Sequence, residues 1–307
     1  MKILQLFAGL AGLVLVTGSA LADDPKFVYG KVEEVKDVKR VEWKAAIEAG
    51  IVFTTGNSET TTATGGLKAS RKSGNNKLTI EGGVTYARSG QRVIDDKNGN
   101  GTIDNASEIQ TVQSVTAENL TSKLRYDRFL TTFNSLFVAG LASRDIPAGK
   151  AIVLGAQLGY SRQLHKSKTS ELVGEFGYDY SHEDLVSAPS FSIHSARVFL
   201  GLKAVMTEGT DFDASLEALT NLNDEALTTT DSSGMVVDGG PLKDTRVNLH
   251  IGVNAKIGKN LAFQTTLDAK FDNRPAPLGV KNLAMGYVPE ATSIDTIMKA
   301  SLIYSFF

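Results

Sequence analysis

From residue 43 onward the polarity of this chain changes at nearly every step. Trp43, Ala45, Ile47, Ala49, Ile51 and Phe53 alternate with Lys44, Ala46, Glu48, Gly50, Val52 and Thr54. Successive side chains of an extended strand point to opposite faces, so one face is apolar and the other carries the charge. The split returns in Leu78, Ile80, Val84 and Tyr86 against Thr79, Glu81 and Thr85, and in Leu172, Phe176, Tyr178 and Tyr180 against Glu171, Glu175 and Asp179. It returns in Val247, Leu249, Ile251, Val253 and Ala255 against Arg246, Asn248, His250, Asn254 and Lys256. In the next segment Leu261, Phe263, Leu267, Ala269 and Phe271 oppose Gln264, Thr266, Asp268 and Lys270. About twelve such segments begin near residues 43, 60, 77, 114, 132, 151, 169, 191, 210, 245, 260 and 296, each of roughly ten or more residues. Strands of soluble domains run about 5–6 residues, whereas strands that cross a bilayer need about 9–11. The length predicts an all-β fold: an antiparallel up-and-down transmembrane β-barrel of about 12 strands.

The connections alternate as well. RKSGNN, FLTT, LHKSKT, TEGT and IGKN are short links after the even strands, while those after strands three, seven, nine and eleven read as long and that after strand five as moderate. TGNSE, after strand one, is the exception. Short periplasmic turns opposite long extracellular loops are the habit of outer-membrane barrels, and an even strand count puts both ends of the barrel on the periplasmic side. Trp43, Tyr126, Phe133, Phe263 and Phe306 fall near periplasmic strand ends, and Phe53, Tyr86, Tyr180 and Phe271 near outer ends, as two interfacial girdles. The last strand carries Met298, Ala300, Leu302, Tyr304 and Phe306 at alternate positions. This is the kind of terminal stripe that barrel-assembly machinery reads, here followed by the extra residue Phe307.

The chain starts with Lys2, an apolar run from Ile3 to about Val16 and the small-residue site Ala20-Leu21-Ala22. That order predicts a secretory signal peptide over 1–22. Residues 23–40, rich in charge, read as a periplasmic N-terminal segment, and 41–307 as the barrel. Outside the signal the chain has 31 basic residues against 34 acidic ones, a near-neutral balance with no nucleic-acid footprint. There is no cysteine, which excludes thiolate metal sites and thiol catalysis.

Residues 42 to about 185 resemble the salt-induced outer-membrane protein family, a Gram-negative domain of unknown function. The resemblance is carried by EWKAAIEAGIVFTTGNSETTTATGGLKASRKSGNNKLTIEGGVTYARS, with its strand, TGNSET turn and second strand. It continues in AENLTSKLRYDRFLT, LFVAGLASRDIPAG and LGAQLGYSRQL. It implies a cell outer-membrane barrel with a link to envelope stress, in contact with outer-membrane lipid and lipopolysaccharide. It implies no site residues.

Three groups of residues carry possible chemistry. The first lies in 89–113, read as an extracellular loop, where DDKNGNGTID resembles the start of a calcium loop. With Asp96 at position 1, Asn98 and Asn100 take positions 3 and 5, Gly101 the sharp turn, Thr102 the backbone ligand and Asp104 position 9. Position 12 is Ser107 rather than a bidentate Glu, with Glu108 one residue late. The alternative is a polar Asn/Gly-rich turn. The second group is His182 and His194 in SHEDLVSAPSFSIHS, beside Glu183, Asp184 and Ser195, residue types from which a Ser–His–acid arrangement could be built. His165 reads as a periplasmic turn residue and His250 as an inward hydrogen-bonder. The third group is the lumen face, where Lys44, Glu48, Lys68, Glu81, Lys123, Arg125, Asp127, Glu171, Glu175, Asp179, Arg197, Lys203, Asp213, Glu217, Lys256, Asp268 and Lys270 mix both signs. Such a mixture means either salt bridges across a narrow lumen or a weakly selective pore.

The resulting expectation is a narrow pore or envelope-stabilising barrel without catalytic activity, the alternative being an outer-membrane lipid-modifying hydrolase. For the loop, Ca²⁺ held by Asp96, Asn98, Asn100, Thr102 and Asp104 would order residues 95–108 without contributing to barrel folding, because the strand ladder closes without it. Asp96→Ala is then expected to abolish calcium-dependent protection of 95–108 in limited proteolysis and leave barrel melting unchanged. Equal cleavage of the wild-type loop with calcium and with chelator would leave only a polar turn.

Overall fold

The structure, a computed structural model, describes residues 41–54, 58–94, 109–186, 189–224, 239–275 and 293–306. The stretches read as signal peptide and periplasmic segment lie outside these residues. Twelve strands are present: β1 (Glu42–Thr54), β2 (Ser58–Ser73), β3 (Asn76–Ile94), β4 (Ile109–Phe129), β5 (Asn134–Asp145), β6 (Lys150–Lys166), β7 (Ser170–Leu185), β8 (Phe191–Thr207), β9 (Thr210–Asn221), β10 (Thr245–Lys256), β11 (Leu261–Asp272) and β12 (Ile294–Ser305). Each pairs antiparallel with its neighbours in sequence, and β12 returns to β1, so the sheet is a closed up-and-down barrel as expected.

Parity decides which side chains go inside. On β4, Asn119, Thr121, Lys123, Arg125 and Asp127 are buried, while Leu120, Leu124 and Tyr126 between them are exposed. Among the described residues, buried polar and charged side chains outnumber buried apolar ones. A soluble protein shows the reverse, so the medium around this barrel is hydrocarbon. Trp43, Tyr86, Tyr126, Phe133, Phe263, Phe271 and Phe306 are all exposed, and Tyr180 is half-buried. The Phe53 side chain lies outside the described residues. Met298, Leu302, Tyr304 and Phe306 form the outward stripe of β12.

One end of the barrel carries five short turns, at 74–75, 130–133, 167–169, 208–209 and 257–260, together with the start of β1 and the end of β12. Gly74, at φ 54°, opens the two-residue β2–β3 turn, where the primed hairpin turns need a left-handed first residue. Two expectations change at the opposite end. β3 and β4 run on to Ile94 and from Ile109, so the segment between them is 95–108 rather than 89–113. At Ala87/Arg88 the register of this long hairpin shifts by one residue, with Thr116 skipped in the ladder. The β7–β8 connection is only 186–190, because β7 continues to Leu185 and β8 begins at Phe191.

Closure rests on the shortest ladder. β1 and β12 pair through Ala46↔Ser305, Ile47↔Tyr304, Glu48↔Ile303 and Ala49↔Leu302. The Phe306 amide adds a bond to the Ala45 carbonyl at 3.0 Å. On the lumen side Ser301 Oγ donates to Glu48 Oε1 at 2.8 Å. Gly50 allows the strands to approach, since a Cβ there would lie 2.9 Å from the Ala300 carbonyl oxygen.

Leu249 and Asn248 are adjacent but face lipid and lumen, where Leu249 is exposed and Asn248 donates to Glu217. Leu249→Arg is expected to destabilise the barrel by about 2–4 kcal/mol and Asn248→Arg by much less. Refolding titrations into lipid vesicles measure both, and equal losses would contradict the assigned faces.

Candidate functional site: a charged barrier in the lumen

At mid-height, lumen charges among the described residues pair across the barrel. Arg125 on β4 reaches over β5 and β6 to Glu175 on β7, with Nη2 donating to Oε1 at 2.8 Å and Nη1 to Oε2 at 3.2 Å. Its Nε and Nη2 also donate to Asp127, at 3.0 and 2.7 Å. Arg197 on β8 donates through Nη1 to Glu175 Oε2 at 3.0 Å and through Nε to Glu217 on β9 at 2.5 Å. Ser161 Oγ donates to Glu175 at 3.0 Å, and Asn248 Nδ2 to Glu217 at 3.1 Å. Lys123 completes the group, among Arg125, Arg197, Glu81 and Glu217. Arg125 and Arg197 thus share Asp127, Glu175 and Glu217, and Lys123 lies between the network and Glu81. Arg197 is 1% exposed and Glu175 3%, so the pairing is desolvated and each charge depends on its partners.

Two phenylalanines break the polar parity to serve this network. Phe137 and Phe199 point inward and are buried. The Arg125 guanidinium lies 4.1 Å from the Phe137 ring centre, and Arg197 lies 5.3 Å from that of Phe199. Both are cation–π contacts in a desolvated setting. Inward glycines leave the space. A Cβ at Gly159 would stand 2.8 Å from the Phe137 ring, and one at Gly201 2.9 Å from that of Phe199.

Two cavities flank the network. The larger, about 650 Å³, lies toward the short-turn end on the β7–β10 side, lined there by Glu171, Val173, Phe199, Lys203, Asp213 and His250, and along β3–β4 it continues past Lys123 to Thr121 and Asn119. The smaller, about 170 Å³, lies toward the long-loop end among Lys150, Asp179, Glu183, Arg246, Asn248 and Asp272. No residue lines both. On β7 Glu175 lies between Val173 and Asp179, and on β8 Arg197 is the next inward residue beyond Phe199.

Each cavity has its own ion cluster. In the larger, Asp268 contacts His250 Nδ1 at 2.5 Å and Asp213 contacts Nε2 at 2.8 Å, clamping the ring from both sides. Lys299 lies 3.4 Å from Asp268. In the smaller, buried Glu183 meets Arg246 and, at 3.1 Å, Lys150. Arg246 also lies 3.2 Å from Asp244, in the loop before β10. Burial pushes the Asp244 carboxyl above the usual range; Arg246 pulls against that, and the Asp272 and Glu183 carboxylates add to it.

Asp96, Asn98, Asn100, Thr102 and Asp104 fall in 95–108, outside the described residues. Among the histidines, His250 faces the lumen as expected, whereas His165 lies within the last residues of β6 rather than in a turn. The expected Ser–His–acid group divides by parity. Glu183 and Ser195 are buried on the lumen face, and His182, Asp184 and His194 lie on the outer wall. The serine hydroxyl that reaches His182 is that of Ser192, 2.9 Å from Nδ1. Its place opposite His182 in the β7–β8 ladder depends on the short 186–190 connection, which the sequence pattern does not specify. The inward phenylalanines had a visible signal: each breaks the alternation near a glycine.

The translocator domain of autotransporter NalP from Neisseria meningitidis is 12% identical, with 90% of this chain and 91% of that one covered at a TM-score of 0.38. The anion-selective porin from Comamonas acidovorans is 12% identical, with 87% and 99% covered at 0.36. The Pseudomonas putida toluene transporter TodX is 9% identical, with 92% and 94% covered at 0.39. No curated protein matches the chain. The family model described as "Protein of unknown function, DUF481" matches residues 47–235, more than half of the chain.

Glu175→Gln removes the carboxylate shared by Arg125 and Arg197 and is expected to cost about 3–5 kcal/mol. Glu118→Gln breaks only the exposed Glu118–Arg144 pair, 3.3 Å apart, and is expected to cost under about 1 kcal/mol. Denaturant titration of the two variants in vesicles checks the difference.

Proposed function

The chain belongs to the DUF481 family, and from its lumen we propose a Gram-negative outer-membrane barrel whose passage is held shut at mid-height by ion pairs. The observation that carries this reading is the Arg125–Glu175–Arg197–Glu217 network, buried between two cavities with no common lining residue. An ion crossing through the network must displace paired charges, and a desolvated charge that loses its partner is costly. The balanced signs give no field favouring either cations or anions. The barrel works as a narrow, normally closed conduit that keeps the envelope sealed, which suits a salt-induced, stress-linked role. Its outward stripe supports contact with outer-membrane lipid and lipopolysaccharide, and the β12 pattern ending in Phe306 supports delivery by barrel-assembly machinery.

Planar-bilayer recording tests the reading. The wild-type barrel is expected to give no stable conductance steps in molar salt. The Glu175→Ala, Arg197→Ala double variant removes the two central side chains of the barrier, one of each sign, and is expected to give steps with weak ion selectivity. Stable wild-type steps of the same size as those of the double variant would overturn the proposal.

A further inference from the structure

The outer wall at the β7–β8 end carries a second arrangement, independent of the lumen. His182 and Ser192 are direct cross-strand partners, and Asp184 follows His182 on the same face. Ser192 Oγ lies 2.9 Å from His182 Nδ1, and Asp184 Oδ1 lies 3.5 Å from His182 Nε2. The Tyr180 hydroxyl lies 3.2 Å from Ser192 Oγ. We propose that Ser192, His182 and Asp184 form a hydrolytic site on the membrane-facing wall, acting on acyl-ester lipids of the leaflet at the long-loop end.

The roles follow from position. With its proton on Nε2, toward Asp184, His182 presents a bare Nδ1 to the Ser192 hydroxyl. As Ser192 Oγ bonds to the ester carbonyl carbon, its proton passes to Nδ1 and negative charge gathers on the carbonyl oxygen. The Tyr180 hydroxyl is the donor placed to receive that charge. Collapse breaks the carbon–alkoxide bond, and His182 returns the proton to the leaving alcohol. Water then attacks the acyl-serine and gives its proton to His182. Release of the acid passes that proton back to Ser192 Oγ, so ester and water become acid and alcohol. Asp184 touches no reacting atom and is a positioning residue for the His182 ring.

The surroundings fit an amphiphile. Toward the membrane interior the same wall shows Phe176, Val198 and Leu200, all exposed, along which acyl chains can lie. His182 and Asp184 side chains are 40% and 46% exposed, so the reacting group is reached from the membrane surface. The wall is also held rigid where the β9 ladder stops at Ser195↔Asn221. Beyond that point Asn223 takes over, its Nδ2 donating to the Ser192 carbonyl at 3.1 Å and its Oδ1 accepting from the His194 amide at 2.8 Å. A bond between Tyr178 and His194 pins the neighbouring row.

The test uses the purified full-length barrel in vesicles of diacylphosphatidylethanolamine, with purified lipopolysaccharide in a second arm, and measures fatty-acid release. A fluorophosphonate probe reports on the nucleophile by mass spectrometry of the labelled peptide. Release in either arm is expected, with Ser192→Ala and His182→Ala each lowering it by about 100-fold or more. Tyr180→Phe is expected to lower it by about 10²-fold. Asp184→Asn lowers kcat at an unchanged KM, and Asp184→Glu recovers part of the loss. Ser195→Ala, whose hydroxyl faces the lumen, leaves the rate unchanged. Resistance of each unheated variant to SDS confirms a closed barrel. Release in neither arm, or release and labelling that persist in Ser192→Ala, would overturn the assignment.

Discussion

In hydrocarbon no water is present to satisfy a free amide or carbonyl, so a sheet can stand there only if it has no edge. That requirement meets its hardest case at the contact of β1 with β12. Sequential strands are brought together by the turn or loop that joins them, whereas these two are the ends of the barrel and are joined by no connection. Their ladder is confined to Ala46–Ala49 against Leu302–Ser305. The contacts that reinforce it come from both faces: Ser301 on Glu48 inside, and the outward run through Tyr304 to Phe306, whose rings meet edge-on at 5.2 Å. Everything else in the molecule presupposes this closure.

A closed sheet turns alternation into confinement. Charges on one face of each strand can no longer reach bulk water freely, and those at mid-height have only each other. Twelve strands leave more room than eight, whose interior side chains just fill the space, so pairing needs long side chains spanning several strands. Arg125 meets Glu175 three strands away and Arg197 meets Glu217 one strand away. Phe137 and Phe199 fill the space under the guanidinium groups, and Gly159 and Gly201 leave room for the rings. The barrier is thus a packing solution as much as an electrostatic one.

This division explains what could be read from the residues and what could not. Strand positions, parity, the even count and the inward direction of His250 follow from local alternation, which has only two phases to choose from. Which inward charges meet depends on strand tilt and on register accumulated around the barrel, and neither is a local property. Arg125 and Glu175 are 50 residues apart, and nothing near either one specifies the other. Loop lengths misled for a related reason. Alternation fades where strands leave the hydrocarbon, yet the backbone ladder of β3 with β4 continues to Ile94↔Ile109.

The same two-fold choice keeps the two proposed activities apart. On β7, Glu183 points inward to Arg246 and Lys150, while its neighbours His182 and Asp184 point outward. The lumen cluster needs water excluded and charges paired; the wall site needs a neutral imidazole beside a hydroxyl at the edge of hydrocarbon. One strand supplies both environments because adjacent side chains are separated by the thickness of the sheet itself. A one-residue bulge between Tyr180 and Glu183 would exchange them, placing a carboxylate in lipid and a histidine among the lumen charges. The continuous register from Tyr178↔Ala196 to Glu183↔Phe191 is therefore a requirement of both sites at once. Asn223, by gripping the β8 backbone where β9 has ended, holds that register at its exposed end.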